Sequence, residues 1–322
     1  MGENMKLAII YDPTFPKLKP DSYSQTYRDM FLALIDRFDS VQEITGDTNS
    51  NDIDSDCIVF FDIHSSHEIT IEGIEKHKAV KYEYFNDPWQ VEFKGEYKDG
   101  PKVHKLGPEQ RSVRANKRGV QFVICPYENL YYRYIDPHFD GELLWFPIAP
   151  NAERCNKEMP LRDRKHEVLL NGHIWPGEYG FRPYAMRKWA YGQNSATKVP
   201  HYVFDKTTPA GLGYADYLAT YAGSLALCDT HICPKYSEIP LAGCVIFAQY
   251  LHDYEKMGFK DGESCLYVTK GNYHKTLDDF DNADVDEYQR IADRGGEIIR
   301  NNWTAAHFAE HIYRHAEKRR AS

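Results

Sequence analysis

Short apolar runs alternate with stretches of helical spacing along both halves of the chain, and this alternation limits the fold more than any other feature. The first run is Leu7-Ala8-Ile9-Ile10-Tyr11, closed by Asp12-Pro13. A short apolar run ended by turn formers reads as a strand buried on both faces. Tyr27, Met30, Phe31, Leu34 and Phe38 then fall at helical spacing, which predicts a helix over about 22–38. Residues 57–61, 80–85, 121–125 and 142–146 supply further strands. Pro147, Pro150 and Pro160 interrupt the pattern, which resumes with strands at 166–171, 199–204, 224–228, 245–248 and 264–269. Two helical stretches, 284–301 and 305 to about 318, close the chain. Doubly buried strands separated by helices form parallel sheets covered on both faces, so the expected class is α/β. With 322 residues there is enough chain for two domains, 1–150 and 151–322, the last helix being free to cross back. Two such sheets facing each other would enclose a cleft, and open α/β sheets bind ligands at the carboxyl ends of their strands.

Composition narrows the function. A formal charge of −9 argues against a protein that coats nucleic acid non-specifically, although it leaves room for a local basic patch. The balance of 42% hydrophobic and 27% charged residues is that of a folded chain. No run approaches the roughly 20 apolar residues that span a bilayer. The start, Met1-Gly2-Glu3-Asn4-Met5-Lys6, has no apolar signal region, and Lys6 stands where a myristoylation signal needs Ser or Thr. A cytoplasmic protein without a membrane span is expected. The 7 Cys are scattered, and only Cys228 and Cys233 lie close in sequence, a poor zinc signature, so reduced thiols and no metal site are expected. The 24 Tyr fit either a Tyr-rich core or stacking platforms for sugar and base rings.

The alternation breaks over 86–119, read as a long loop with one helix at its end and as an insertion at about 88–119. Lys94, Lys98, Lys102, Lys105, Arg111, Arg114, Lys117 and Arg118 lie here, and the basic excess falls in the second half. Three readings stand: a solvated loop, a surface for an anionic acceptor, and a contact with DNA.

The stretch Lys235-Tyr236-Ser237-Glu238-Ile239-Pro240-Leu241-Ala242-Gly243 reads as a short helix ended by a glycine turn, followed by the buried run 244–247. A helix N-terminus supplies free N–H groups and a favourable field for a diphosphate, and Lys235 would add positive charge. Glu238 could accept two hydroxyl hydrogen bonds from a ribose. It could equally cap its own helix, with Lys235 solvated.

This stretch resembles the C-terminal half of group 1 glycosyltransferases, in particular the branch related to spore-maturation CgeB-like proteins and some viral homologues. In that family a Glu stands five residues before a Gly on a short helix, as Glu238 and Gly243 do. Residues 254–267 resemble the family's Gly, acidic-Gly turn and strand. Val168-Leu169-Leu170-Asn171-Gly172-His173, with Tyr179 and Arg182, resembles the opening of its second domain. Pro126-Tyr127 and Leu144-Trp145-Phe146-Pro147 resemble its last N-terminal elements, so the likeness covers roughly 120–317. It implies a GT-B fold of two Rossmann-like domains and a metal-independent transfer of sugar from a nucleoside diphosphate-sugar, with no other cofactor, to a hydroxyl acceptor such as a glycan or another polyanion. Glu238 would hold the ribose, and Gly172 would let the backbone approach the diphosphate closely. Lys235 and Arg182 would balance the leaving-group charge. His173, Tyr236 and Ser237 complete the donor set. Many relatives carry a second Glu eight residues before the first; here that position is Thr230, after Asp229. Donor sugar and stereochemistry therefore stay open. So do two alternatives: a transferase acting on hydroxymethylated DNA bases, and a catalytically silent nucleotide-sugar-binding protein.

An inverting transfer needs a group that removes the acceptor proton. The strand-end residues Asp12, Asp62, His64 and Asp87 are the candidates, as turn formers or as chemistry. Asp62 and His64 rank first for catalysis, and Asp12 and Asp87, with Arg111 and Arg114, for acceptor binding.

Overall fold

The computed structural model describes residues 4–14, 18–19, 25–61, 69–88, 93–96, 102–155, 159–174, 183–198, 211 and 213–320. The chain divides into two compact units. Met1–Lys19, Met30–Pro147 and Ala306–Ser322 form the first, Pro20–Asp29 and Ile148–Ala305 the second. The short stretch 20–29 thus groups with the second unit.

In the first unit, β1 (Lys6–Ile10) leads through α1 (Thr26–Arg37) to β2 (Ser40–Ile44). β3 (Thr48–Asn49), β4 (Cys57–Phe60), β5 (Ile71–Glu72) and β6 (Val80–Tyr84) follow, then β7 (Phe93–Glu96), β8 (Lys102–Lys105), α2 (Pro108–Lys117), β9 (Phe122–Cys125), α3 (Glu128–Tyr134) and β10 (Glu142–Trp145). Six parallel strands form one sheet in the order β10-β9-β6-β4-β1-β2, while β3 and β5 make a small separate pair. The buried strands match the apolar runs to within one or two residues. β2 carries no such run because it lies at the sheet edge, where Ser40 and Glu43 are exposed, only Ile44 is buried, and Ser-Val-Gln-Glu-Ile suffices. The helix expected from about 22 is described from Thr26, and its first four residues count with the second unit.

The basic segment differs most from expectation. Its first part contains an antiparallel pair, β7 with β8, and its second part is α2. Arg111, Arg114 and Arg118 fall at i, i+3 and i+7, one face of that helical turn, and all three are buried. Arg114 meets Glu83 on β6 at 2.9 Å, and Arg118 meets the same carboxylate at 3.5 Å; Glu83 is 0% exposed. Arg111 donates to Asn86 O at 2.9 Å and lies over the Phe85 ring. The acceptor-binding role expected of Arg111 and Arg114 is thus corrected. Arg114 and Arg118 offset a carboxylate buried on a central strand, and removing one partner of such a pair costs about 3–5 kcal/mol, while Arg111 is tied to the backbone beyond that strand.

The second unit opens with β11 (Lys165–Leu170) and continues through α4 (Ala185–Tyr191), β12 (Thr197–Lys198), α5 (Gly213–Leu218), β13 (Tyr221–Ala226), α6 (Lys235–Leu241), β14 (Val245–Ala248), α7 (His252–Lys256), β15 (Leu266–Tyr267), α8 (Tyr273–Asn282) and α9 (Gln289–Asn302). Its five-stranded sheet, order β12-β11-β13-β14-β15, is parallel throughout. Val168, Leu170, Leu225, Val245 and Phe247 from the strands pack with Leu277, Phe280 and Ile291 from α8 and α9 into its core. α10 (Ala305–Arg320) returns to the first unit, where Phe308 packs edge-on against Tyr84 and Phe146, and His315 meets the Tyr82 hydroxyl at 2.7 Å. No described helix is long and apolar enough to cross a membrane.

Candidate functional site

Both sheets share one topological device: the first strand of each unit has the second strand on one side and all later ones on the other. The strand order reverses there, and the crevice at the carboxyl ends beside such a point is where open α/β sheets take ligands. In the second unit this point lies between β11 and β13, and the residues leaving β11 are Asn171, Gly172 and His173.

Gly172 has φ 116°, a conformation that favours glycine. A Cβ built there would lie 2.9 Å from Arg187 Nη1 and 3.4 Å from Lys235 Cε. The space a side chain would occupy is thus bounded by two cations. Arg187, from α4, is buried, donates to His173 O at 2.9 Å and lies 4.1 Å over the Tyr184 ring. Lys235, first residue of α6, donates to Asn171 O at 2.7 Å and also to Asn171 Oδ1, while Asn171 Nδ2 donates to Tyr214 Oη at 3.0 Å. Burial, and then the neighbouring Arg187 charge, push the Lys235 ammonium down to about 7.

Glu238 lies three residues after Lys235, on the same face of α6. It is half-buried, and burial raises its carboxyl to about 7 against the opposing pull of Arg154, Lys235 and Thr26. The turn at Gly243, φ 71°, ends this helix, where a Cβ would lie 2.8 Å from Arg164 Nη2 and Arg164 Nη1 donates to the Ala242 carbonyl at 2.9 Å.

Gly172, Lys235 and Glu238 are therefore gathered in one place. His173 adjoins them with an exposed side chain and a carbonyl used by Arg187. Tyr236 and Ser237 require correction as donor contacts, because the helix turns them inward. Tyr236 is 0% exposed, donates to Gln249 O at 3.1 Å and packs edge-on against Tyr254; Ser237 donates to Ile148 O at 3.0 Å. Arg182, Asp62 and His64 lie outside the described residues. In the first unit Asp12 follows β1 and accepts from Thr14 N and Oγ1 at 2.8 and 2.7 Å, an Asx turn. Asp87 follows β6 at φ 49°, the one non-glycine residue with positive φ among those described.

Arg187 is the site residue that the sequence analysis missed. Its signal was an Arg three and four residues before Ala190 and Tyr191, a cation set into the buried side of a short helix. Thr230 Oγ1 meets His231 Nδ1 at 2.9 Å. The adjacent Asp229 accepts from Met186 N at 3.1 Å and Gln249 Nε2 at 3.1 Å, which commits it to local structure.

No family model matches the sequence, and no curated protein matches it. Solved structures do. Sucrose-phosphate synthase from Thermosynechococcus elongatus aligns at a TM-score of 0.57 and 12% identity over 98% of this chain and 99% of that one. Anabaena Alr3699/HepE in complex with UDP aligns at 0.55 and 10% identity over 98% and 100%. The GtfA/B complex aligns at 0.47 and 10% over 82% of this chain and only 58% of that one, too loosely to argue from. Together with the two parallel sheets, the first two likenesses establish that this chain has the two-domain, Rossmann-like GT-B fold.

Proposed function

We propose that the protein is a glycosyltransferase that moves a sugar from a nucleoside diphosphate donor to a hydroxyl acceptor, and that the site around Gly172 binds the donor. The observation that carries this reading is the pair of cations, Arg187 buried and Lys235 half-buried, converging where Gly172 has no side chain. Two enclosed positive charges beside a bare backbone suit a diphosphate, which brings the negative charge they lack. Glu238, one helical turn along, is then placed to accept hydrogen bonds from the ribose. HepE, which shares the fold, has been crystallised with UDP and with UDP-glucose, so uridine nucleotides are the first probes to use. The spacing of Glu238 and Gly243 leads us to group the chain with the CgeB-like branch of these enzymes.

In the reaction, the bond between the anomeric carbon and the diphosphate oxygen breaks, and its electron pair leaves with the nucleoside diphosphate. A new bond forms from the acceptor oxygen, whose proton passes to a base. Arg187 and Lys235 stabilise the charge that grows on the leaving group, a role that makes a divalent cation unnecessary. Asp62 and His64, which follow β4 in the chain, are the proposed base. The acceptor is a hydroxyl compound and need not be anionic, since Arg111, Arg114 and Arg118 are occupied inside the first unit.

Incubation with a panel of sugar nucleotides, read as slow release of sugar to water, tests the activity. Turnover should persist in EDTA and fall about a hundredfold in Arg187→Met, the usual loss when one donor to the developing charge is removed. Glu238→Ala should weaken nucleotide binding by about 1.5–3 kcal/mol without lowering the Tm of the ligand-free protein. Complete loss in EDTA, restored by Mn²⁺, contradicts the metal-free chemistry. Absence of both hydrolysis and nucleotide binding contradicts the function.

A further inference from the structure

A short stretch from early in the chain, 20–29, belongs to the second unit, and it brings three buried polar side chains with it: Gln25 at 1%, Thr26 at 0% and Asp29 at 6% exposure. Thr26 Oγ1 donates to Glu238 Oε1 at 3.3 Å, across 212 positions of sequence. One turn along α1, Asp29 forms an ion pair with Arg154, whose charge also acts on Glu238, and accepts from Asn151 N at 2.9 Å. Among the described residues, Glu238 Oε2 carries no hydrogen bond.

We propose that Thr26 and the Asp29–Arg154 pair are positioning residues for ribose recognition. Thr26 fixes the Glu238 carboxylate through one oxygen, and Asp29 holds the Arg154 guanidinium back from the other, which is left for the ribose diol. The inference rests on the donor-site reading and assigns that site its specificity for a ribonucleotide over a deoxyribonucleotide. The physical reason lies in competition. A half-buried carboxylate beside an unrestrained guanidinium closes into a bidentate pair, which would occupy the acceptor sites a diol needs. Asp29 prevents this by taking Arg154 as its own partner. Thr26 then removes the remaining rotational freedom, so that Oε2 meets the ribose already oriented.

Calorimetric titration of the full chain with UDP, 2′-deoxy-UDP and pyrophosphate tests this, with GDP and 2′-deoxy-GDP as a second pair. Thr26→Val should weaken UDP about threefold to tenfold, the effect of one hydrogen bond on an indirectly held group, while 2′-deoxy-UDP and pyrophosphate bind as before. The ratio of ribo to deoxy affinity therefore falls. Thr26→Ser, which keeps the hydroxyl, should restore it, and Asp29→Asn should lower it independently should Thr26→Val prove too unstable to titrate. A merely structural role would weaken all three ligands alike and leave the ratio unchanged, which overturns the proposal. The two readings fail differently. If the wild-type protein binds no nucleoside diphosphate, the donor-site reading falls and this inference with it. If it binds UDP with a ribose preference that Glu238→Ala abolishes but Thr26→Val and Asp29→Asn leave intact, only the positioning role is wrong.

Discussion

Replacing Gly172 by alanine puts a methyl group where the proposed donor site has only backbone, and its cost can be worked from the geometry. Two effects add. An L-residue at φ 116° is strained, by about 1–3 kcal/mol. The new methyl would also lie 2.9 Å from Arg187 Nη1, so the guanidinium must move and give up its 2.9 Å hydrogen bond to His173 O, a charged bond of about 1.5–3 kcal/mol. The sum of about 2.5–6 kcal/mol should lower the Tm by about 5–24 °C for a unit of this size. Gly258 supplies the control: it too has a positive φ, 97°, but nothing lies within 4 Å of where its Cβ would stand. Gly258→Ala should carry the strain alone and leave ligand affinity untouched. The assay is a thermal melt of both variants with and without UDP, followed by titration. Gly172→Ala should lose UDP affinity about tenfold to a hundredfold, because one of two cations is displaced. If it binds UDP like the wild type, or if Gly258→Ala loses affinity equally, the diphosphate does not bind at Gly172.

Binding of UDP should be bell-shaped in pH with its maximum near 7. Lys235, pushed down to about 7 in the ligand-free protein, has its charged form favoured by a bound diphosphate, so its contribution is full below 7 and is lost as pH rises. Glu238, raised to about 7, accepts ribose hydroxyls as a carboxylate, so its contribution is full above 7 and is lost as pH falls. Lys235→Met should flatten the alkaline limb and Glu238→Gln the acid limb; a profile that neither variant alters refutes the assignment. Arg114→Met should destabilise the protein by about 3–5 kcal/mol in urea or thermal unfolding, because Glu83 loses its nearer partner, while the acceptor KM of the folded enzyme stays as it was. A stable variant with a raised acceptor KM would return Arg114 to the acceptor site.

The sequence by itself determined the class of fold and the segments on which the proposed site is built. The apolar runs at 57–61, 80–85 and 245–248 mark strands buried on both faces, and such strands must be parallel and covered by helices. Glu238 and Gly243 are readable because a helix and its glycine stop are local, fixed by neighbours in the chain. Gly172 is readable for a related reason, since it stands two residues after a strand whose last three residues are buried. The tertiary structure alone decided which charges are free to act. Arg111, Arg114 and Arg118 look like a solvated basic patch in sequence; only the packing of α2 against β6 shows that they serve Glu83 and the end of that strand. Arg187 looks like one more helical surface residue until Gly172 and Lys235 are placed beside it. Thr26 and Glu238, 212 positions apart, leave no trace of each other in the sequence. The physical reason is the same in each case. Periodicity records how a residue faces its own element, whereas the partner that neutralises a buried charge comes from another element, and folding alone brings the two within reach.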